Sequence, residues 1–174
     1  MADMYEFMVS MDLRCELTDD EVAELRWHLG LGSRPERLTI ITTFPEIVIG
    51  DDGRPVEDER GDWVYEDRPR PVWDLVQAGT SKIGGAAVSA FDLHEDRYGR
   101  RWGLTCRWAV HPEDCPEVGK LFGWLVGRCV GDERFFGYLR WFEEDWPDTR
   151  LGIADNTLMT YVDGRPPKPF ASLG

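Results

Sequence analysis

One pattern occurs twice in this chain: an alternating strand that runs straight into a capped amphipathic helix. In the first copy the odd positions Tyr5, Phe7, Val9, Met11, Leu13 and Cys15 are apolar, while Glu6, Ser10, Asp12 and Arg14 alternate with them. In the second, Trp102, Leu104, Cys106, Trp108 and Val110 are apolar against Arg101, Thr105 and Arg107. A period of two buries one face of each strand and leaves the other polar. After the first strand, Thr18-Asp19-Asp20-Glu21 reads as a capping box, Val22, Leu25 and Leu29 form a stripe, and Gly30 and Gly32 end the helix. His111-Pro112-Glu113-Asp114 opens the second helix, with Val118, Leu121, Phe122, Leu125, Val126 and Cys129 as its stripe.

Between the two copies lie two short predicted strands, Leu38–Phe44 and Glu46–Ile49, separated by Pro45, which lacks an amide donor and marks an edge or bend. Residues 50–71 are strongly polar and read as a solvated surface loop or hairpin. A helical turn at 72–79, a strand at Ala86–Leu93, an aromatic strand around Phe135–Phe142 and a last strand at Thr157–Val162 complete the order. This predicts an α+β fold resembling the ferredoxin-like, split βαβ plan: an antiparallel sheet with two helices on one face and an edge insertion at about 38–71. The domain is expected over 1–162, followed by a frayed, proline-rich tail at 163–174. In this plan the first strand is expected to lie beside strand 101–110 and to pair with it in parallel.

The formal net charge of −13 disfavours phosphate backbones, so no nucleic-acid partner is expected and a basic protein partner is possible. No apolar run approaches membrane-spanning length, and the first residues, with Asp3 and Glu6, lack a basic export signal. The expectation is a cytoplasmic protein without a membrane partner. In that setting the four cysteines read as reduced thiols, with Cys15, Cys106 and Cys129 buried and no disulfide.

The polar sheet face carries the first candidate site. Parity puts Ser10, Asp12 and Arg14 on one side with Thr105 and Arg107, and two guanidinium forks could hold a carboxylate or phosphate. Arg14 and Arg107 are expected to lie on adjacent strands within reach of one anion, accompanied by Asp12, Glu6 or a bound anion. His111 is the candidate for proton transfer, with a helix cap as its structural alternative. His111, Cys115 and Cys106 lack a fourth ligand at zinc-like spacing, so no metal is expected. Gly79–Gly85 has the wrong residue order for a phosphate loop, and no cofactor is expected. Gly119, Gly123, Gly127 and Gly131 recur every four residues, which suggests close packing along the second helix. Trp124 lies off the apolar stripe and is the candidate interface residue.

Together these features predict an acidic, cytoplasmic binding or interaction protein without catalytic activity. Eight Trp and eight Phe, with Trp124 off its stripe, further suggest a homodimer. The alternative is a small-molecule enzyme or anion-ligand binder that uses the open polar sheet face. In that reading Arg14 and Arg107 hold the anion, and Asp12 or His111 moves the proton.

Overall fold

The computed structural model describes residues 4–77, 82–97 and 99–173. The chain divides into two compact units: residues 1–40 with 71–174, and residues 41–70. It is an α+β protein with a seven-stranded antiparallel sheet and three helices.

The larger unit holds β1 (Tyr5–Leu13), α1 (Asp19–His28), α2 (Val72–Gln77), β4 (Val88–Asp96), β5 (Gly99–Val110), α3 (Cys115–Val126), β6 (Phe135–Trp141), β7 (Thr149–Ala154), β8 (Thr157–Val162) and β9 (Lys168–Pro169). Its strands are ordered β4-β5-β1-β6-β7-β8-β9. As alternation predicts, Phe7, Val9, Met11 and Leu13 are buried on one face of β1. Phe7 meets Phe122 of α3 edge-on at 4.8 Å, and Phe122 meets Trp108 at 5.7 Å. The capping box forms as read: Glu21 N–H donates to the Thr18 hydroxyl and Thr18 N–H to the Glu21 carboxylate.

β1 and β5 pair antiparallel, Met8 opposite Arg107 and Ser10 opposite Thr105, which corrects the expected parallel pairing. The cause is topological. β5 is the hairpin return of β4 and is inserted between β4 and β1, so its direction opposes both neighbours.

Three further expectations are corrected. Leu38–Phe44 forms no strand, because the Thr39 and Ile40 amides donate to the buried Glu24 carboxylate instead of a ladder. The strand β7 stands where none was expected; it joins β8 through Asp155 and Asn156, both at positive φ (49° and 55°), a two-residue hairpin turn. The C-terminal segment is docked rather than frayed. β9 pairs with β8, Phe170 is fully buried with its ring 5.1 Å from Phe7, and a short 3₁₀ turn follows at Phe170–Ser172.

That docking accounts for one glycine of the four. A Cβ on Gly119 would lie 2.7 Å from the Ala171 Cβ, so the bare backbone admits the C-terminal turn. Gly123 faces open space, Gly127 caps the helix end and Gly131 lies beyond it, so no packed column exists. The Gly79–Gly85 motif lies partly outside the described residues, with residues 79–81 not among them.

All four cysteines are free thiols; Cys106, Cys115 and Cys129 are buried. Cys15 is exposed, against the expectation of burial, because β1 ends at Leu13 and the alternation no longer governs. Burial pushes the Cys106 thiol pKa well up and that of Cys115 up to about 12. One thiol per chain is therefore expected to react rapidly with an aromatic disulfide reagent in the native state. The other three should react only on unfolding. Fast native reaction of more than one would contradict the packing.

The smaller unit contains a two-stranded antiparallel pair, β2 (Pro45–Ile47) and β3 (Tyr65–Asp67). Pro45 opens the first of these strands. Beyond them the chain turns twice, with Gly50 N–H donating to Arg54 O and Asp58 N–H to Asp62 O, each at 2.8 Å. Gly53 (φ 77°) and Gly61 (φ 83°) supply the left-handed residues of those turns. The polar stretch is thus a folded pair of hairpins.

Candidate functional site

Helices α2 and α3 lie over the apolar face of the sheet, and Arg26 of α1 reaches the same side, over the Phe91 ring and bonded to Phe91 O. The opposite face carries Glu6, Met8, Ser10 and Asp12 of β1 beside Thr105 and Arg107 of β5 and Phe136, Tyr138 and Arg140 of β6. Antiparallel register decides which of these meet.

Ser10 and Thr105 stand opposite one another, and their hydroxyls share a hydrogen bond of 3.1 Å. Arg14 lies beyond the end of β1, exposed, with its backbone N–H donating to Arg128 O. Leu13 faces Trp102 while Met8 faces Arg107, so Arg14 and Arg107 are about six positions apart, about 20 Å along the strands. The two guanidinium groups are not within reach of one anion. The correction follows from strand direction: antiparallel pairing carries Arg107 away from Arg14 rather than toward it.

Arg107 instead belongs to a cluster around Glu6. Its Nε donates to Glu6 Oε1 at 2.6 Å, Arg140 Nε donates to Oε2 at 2.7 Å, and the Tyr138 hydroxyl donates to Oε1 at 3.1 Å. Burial alone would raise the Glu6 pKa, but the hydrogen bonds from Arg107, Arg140 and Tyr138 outweigh it and hold the carboxyl below its ordinary value. Burial and the Glu6 charge push the Tyr138 pKa up. The segment 82–86 closes this end of the face. Ile83 and Ala86 pack with Met4 and Ala109, and Arg107 Nη1 donates to Gly84 O at 3.2 Å.

At the other end Asp12 receives Arg101 (3.2 Å), Arg134 (3.8 Å) and His94 (3.9 Å). Gly103 makes the last contact possible, since a Cβ there would lie 3.1 Å from the His94 ring. His111 sits past the far end of β5 and caps a 3₁₀ turn, its Nδ1 accepting from Glu113 N–H at 3.2 Å. Asp12, which faces Gly103, and His111, just past Val110, are thus about eight positions apart along β5. The proton-transfer and anion-holding groups expected from the sequence are therefore dispersed. Trp124 is half-buried beneath the Arg128 guanidinium, 3.5 Å above its ring, and Arg128 also donates to Glu21 at 3.1 Å.

Between the two charge clusters the face remains open. Val88 and Phe136 are 55% and 60% exposed, and Ala90 and Thr105 are exposed beside them. Beyond Phe136, a groove of about 530 Å³ runs over β6, β7 and β8, lined by Phe136, Tyr138, Arg150, Tyr161 and Arg165 among others. Arg150 lies over the Tyr161 ring at 5.2 Å, an arrangement of cross-strand partners. Gly152 leaves room for that ring, since a Cβ there would come 2.9 Å from Tyr161 Cε2.

The sequence reading placed Glu6 beside Arg107, as found, but missed Tyr138 and Arg140 of that cluster and the β6–β8 groove. Glu6 was visible as the one carboxylate among the first residues of an alternating strand, and the Asp155-Asn156 pair was the available signal for the β7–β8 hairpin. Comparison with family models, with curated proteins and with solved structures finds no match to this chain.

Proposed function

We propose that this chain is an interaction protein without catalytic activity, and that it pairs with a second copy of itself through the sheet face opposite the helices. The observation that carries the reading is Phe136. It stands 60% exposed opposite Ser10 near the centre of that face, in one cross-strand row with exposed Thr105 and Ala90. An exposed aromatic side chain is the kind of group in which interface cores are enriched. The charged groups on either side are already paired within the chain, which fits a surface that meets a partner more readily than a site that moves protons.

The order β4-β5-β1-β6, with helices in the connections β1–β4 and β5–β6, supports reading the core as a split βαβ fold. No helix among the described residues is long and apolar enough to cross a membrane. A cytoplasmic location is part of the proposal and is supported by the three buried free thiols.

Light scattering at micromolar concentration tests the pairing. The expected result is a dimer mass for the native chain and a monomer mass for Phe136→Arg, with unchanged circular dichroism. A monomer mass for both proteins would overturn self-association. It would favour the second reading, a binder of small anionic ligands, for which Arg150 and Arg165 in the groove are the supporting observation.

A further inference from the structure

We propose that the smaller unit, residues 41–70, is a docking surface for a basic, extended protein segment, which its aromatic face and surrounding carboxylates jointly recognise. The proposal rests on the reading of the chain as an interaction protein and assigns a second surface and a second kind of partner.

The local geometry creates the surface. Three extended runs meet at Val48, Val56 and Val64, which exchange backbone hydrogen bonds of 2.9 Å in a closed triangle: Val48 N–H to Val64 O, Val56 N–H to Val48 O, and Val64 N–H to Val56 O. Successive residues point to opposite faces, so the three valines, all partly buried, share one side. Residues of the other parity share the opposite side. Ile47 pairs with Tyr65, Ile49 with Pro55, and Glu57 with Trp63. On this side Ile49 is 56% exposed, Trp63 52% and Tyr65 56%. Large apolar groups gathered on one exposed face of so small a unit mark a contact surface.

Charge selects the occupant. Residues 41–70 carry nine carboxylates against four arginines. Part of that acidity is used internally: Asp58 accepts from the Arg60 and Asp62 amides, Asp67 accepts from Phe44 N–H, and Glu66 pairs with Arg68. Glu57, Asp62, Glu59 and Asp51 have no hydrogen bond or ion pair from a side chain of the described residues, and Glu57 lies directly across from Trp63. A second copy of this chain would bring the same negative charge to the same face and be repelled. An arginine- or lysine-bearing segment would instead set its cations against Glu57 and Asp62 and over the Trp63 and Tyr65 rings, while its apolar residues cover Ile49.

The test uses the full chain and a synthetic peptide of alternating arginine and leucine, with an alternating glutamate and leucine peptide as the opposite-charge probe. Titration calorimetry should show the basic peptide binding and the acidic one not. Trp63→Ala should weaken binding by about tenfold or more. Glu57→Lys should do the same, while the charge-matched control Glu16→Lys, at an exposed site outside this unit, should change it little. Binding should weaken as salt shortens the screening length from about 10 Å at 0.1 M to about 3 Å at 1 M. Equal affinity for the native chain, Trp63→Ala and Glu57→Lys would overturn the proposal, as would no binding by the native chain. The self-pairing is read independently: Phe136→Arg should retain peptide binding, and Trp63→Ala should retain the dimer mass.

Discussion

Phe170→Ala is expected to lower the unfolding free energy by about 3–5 kcal/mol, the range for truncating a fully buried phenylalanine. The ring has no exposed surface, lies 5.1 Å from Phe7, and stands in the same aromatic group as Phe122 and Trp108. It is delivered there by a proline-rich segment that β9 fastens to β8, with the Thr160 hydroxyl donating to Lys168 O at 3.0 Å. The bare Gly119 lets the following residue approach α3. Urea unfolding followed by Trp fluorescence measures the effect. A loss below about 0.5 kcal/mol, the ordinary size for a surface substitution, would mean that the segment is not part of the core.

Glu24→Ala is expected to cost about 1.5–3 kcal/mol for a different reason, the loss of hydrogen bonds to a charged group. The carboxylate is fully buried on α1 and receives the Thr39 and Ile40 amides and the Thr39 hydroxyl. One helical turn on, His28 is equally buried, its Nε2 3.5 Å from Glu24 and its Nδ1 accepting from Val72 N–H at 3.3 Å. Two neighbouring side chains thus fasten the segments at 39–40 and at 72, and removing the carboxylate takes the acceptor from three donors, on exposed Thr39 and half-buried Ile40. Glu24→Gln should lose less, since its carbonyl can still accept.

The same pair predicts a pH dependence. Burial outweighs the attraction of Glu24 and lowers the His28 pKa from 6.5 to about 4. Between those values the unfolded chain takes up a proton that the folded chain refuses. The stability associated with a neutral His28 is therefore full above pH 6.5 and falls as the pH drops toward 4, by at most about 1.4 kcal/mol per pH unit. In His28→Asn that slope should flatten. An unchanged slope would place the titrating group elsewhere.

How far the sequence discloses this molecule depends on which contacts are local. Alternation in β1 and β5 and the capping box at Thr18 are encoded by neighbouring residues, and all three are found where they were read. The sheet class follows from them. The relative direction of β1 and β5 is not local, and the expected Arg14–Arg107 pair failed with it, because one reversal of strand sense moves Arg107 about 20 Å along the sheet. Cys15 continues the alternation of the sequence but lies past the last ladder residue, where parity has no force. Residues 38–44 look like a strand by composition, yet a buried carboxylate 15 residues upstream claims two of their amides. Phe170 lies in a stretch whose prolines suggest disorder, and only the distant Phe7 and Gly119 disclose its place.

Site-specific photocrosslinking probes the proposed dimer through the sheet face. A benzophenone side chain is placed at Phe136 in one variant and at Trp124, the half-buried residue under Arg128, in another. The expected result is a covalent dimer from position 136 and none from position 124, with yield rising with protein concentration before irradiation. A covalent dimer from 124 alone, or none from either at concentrations where light scattering gives a dimer mass, would contradict it.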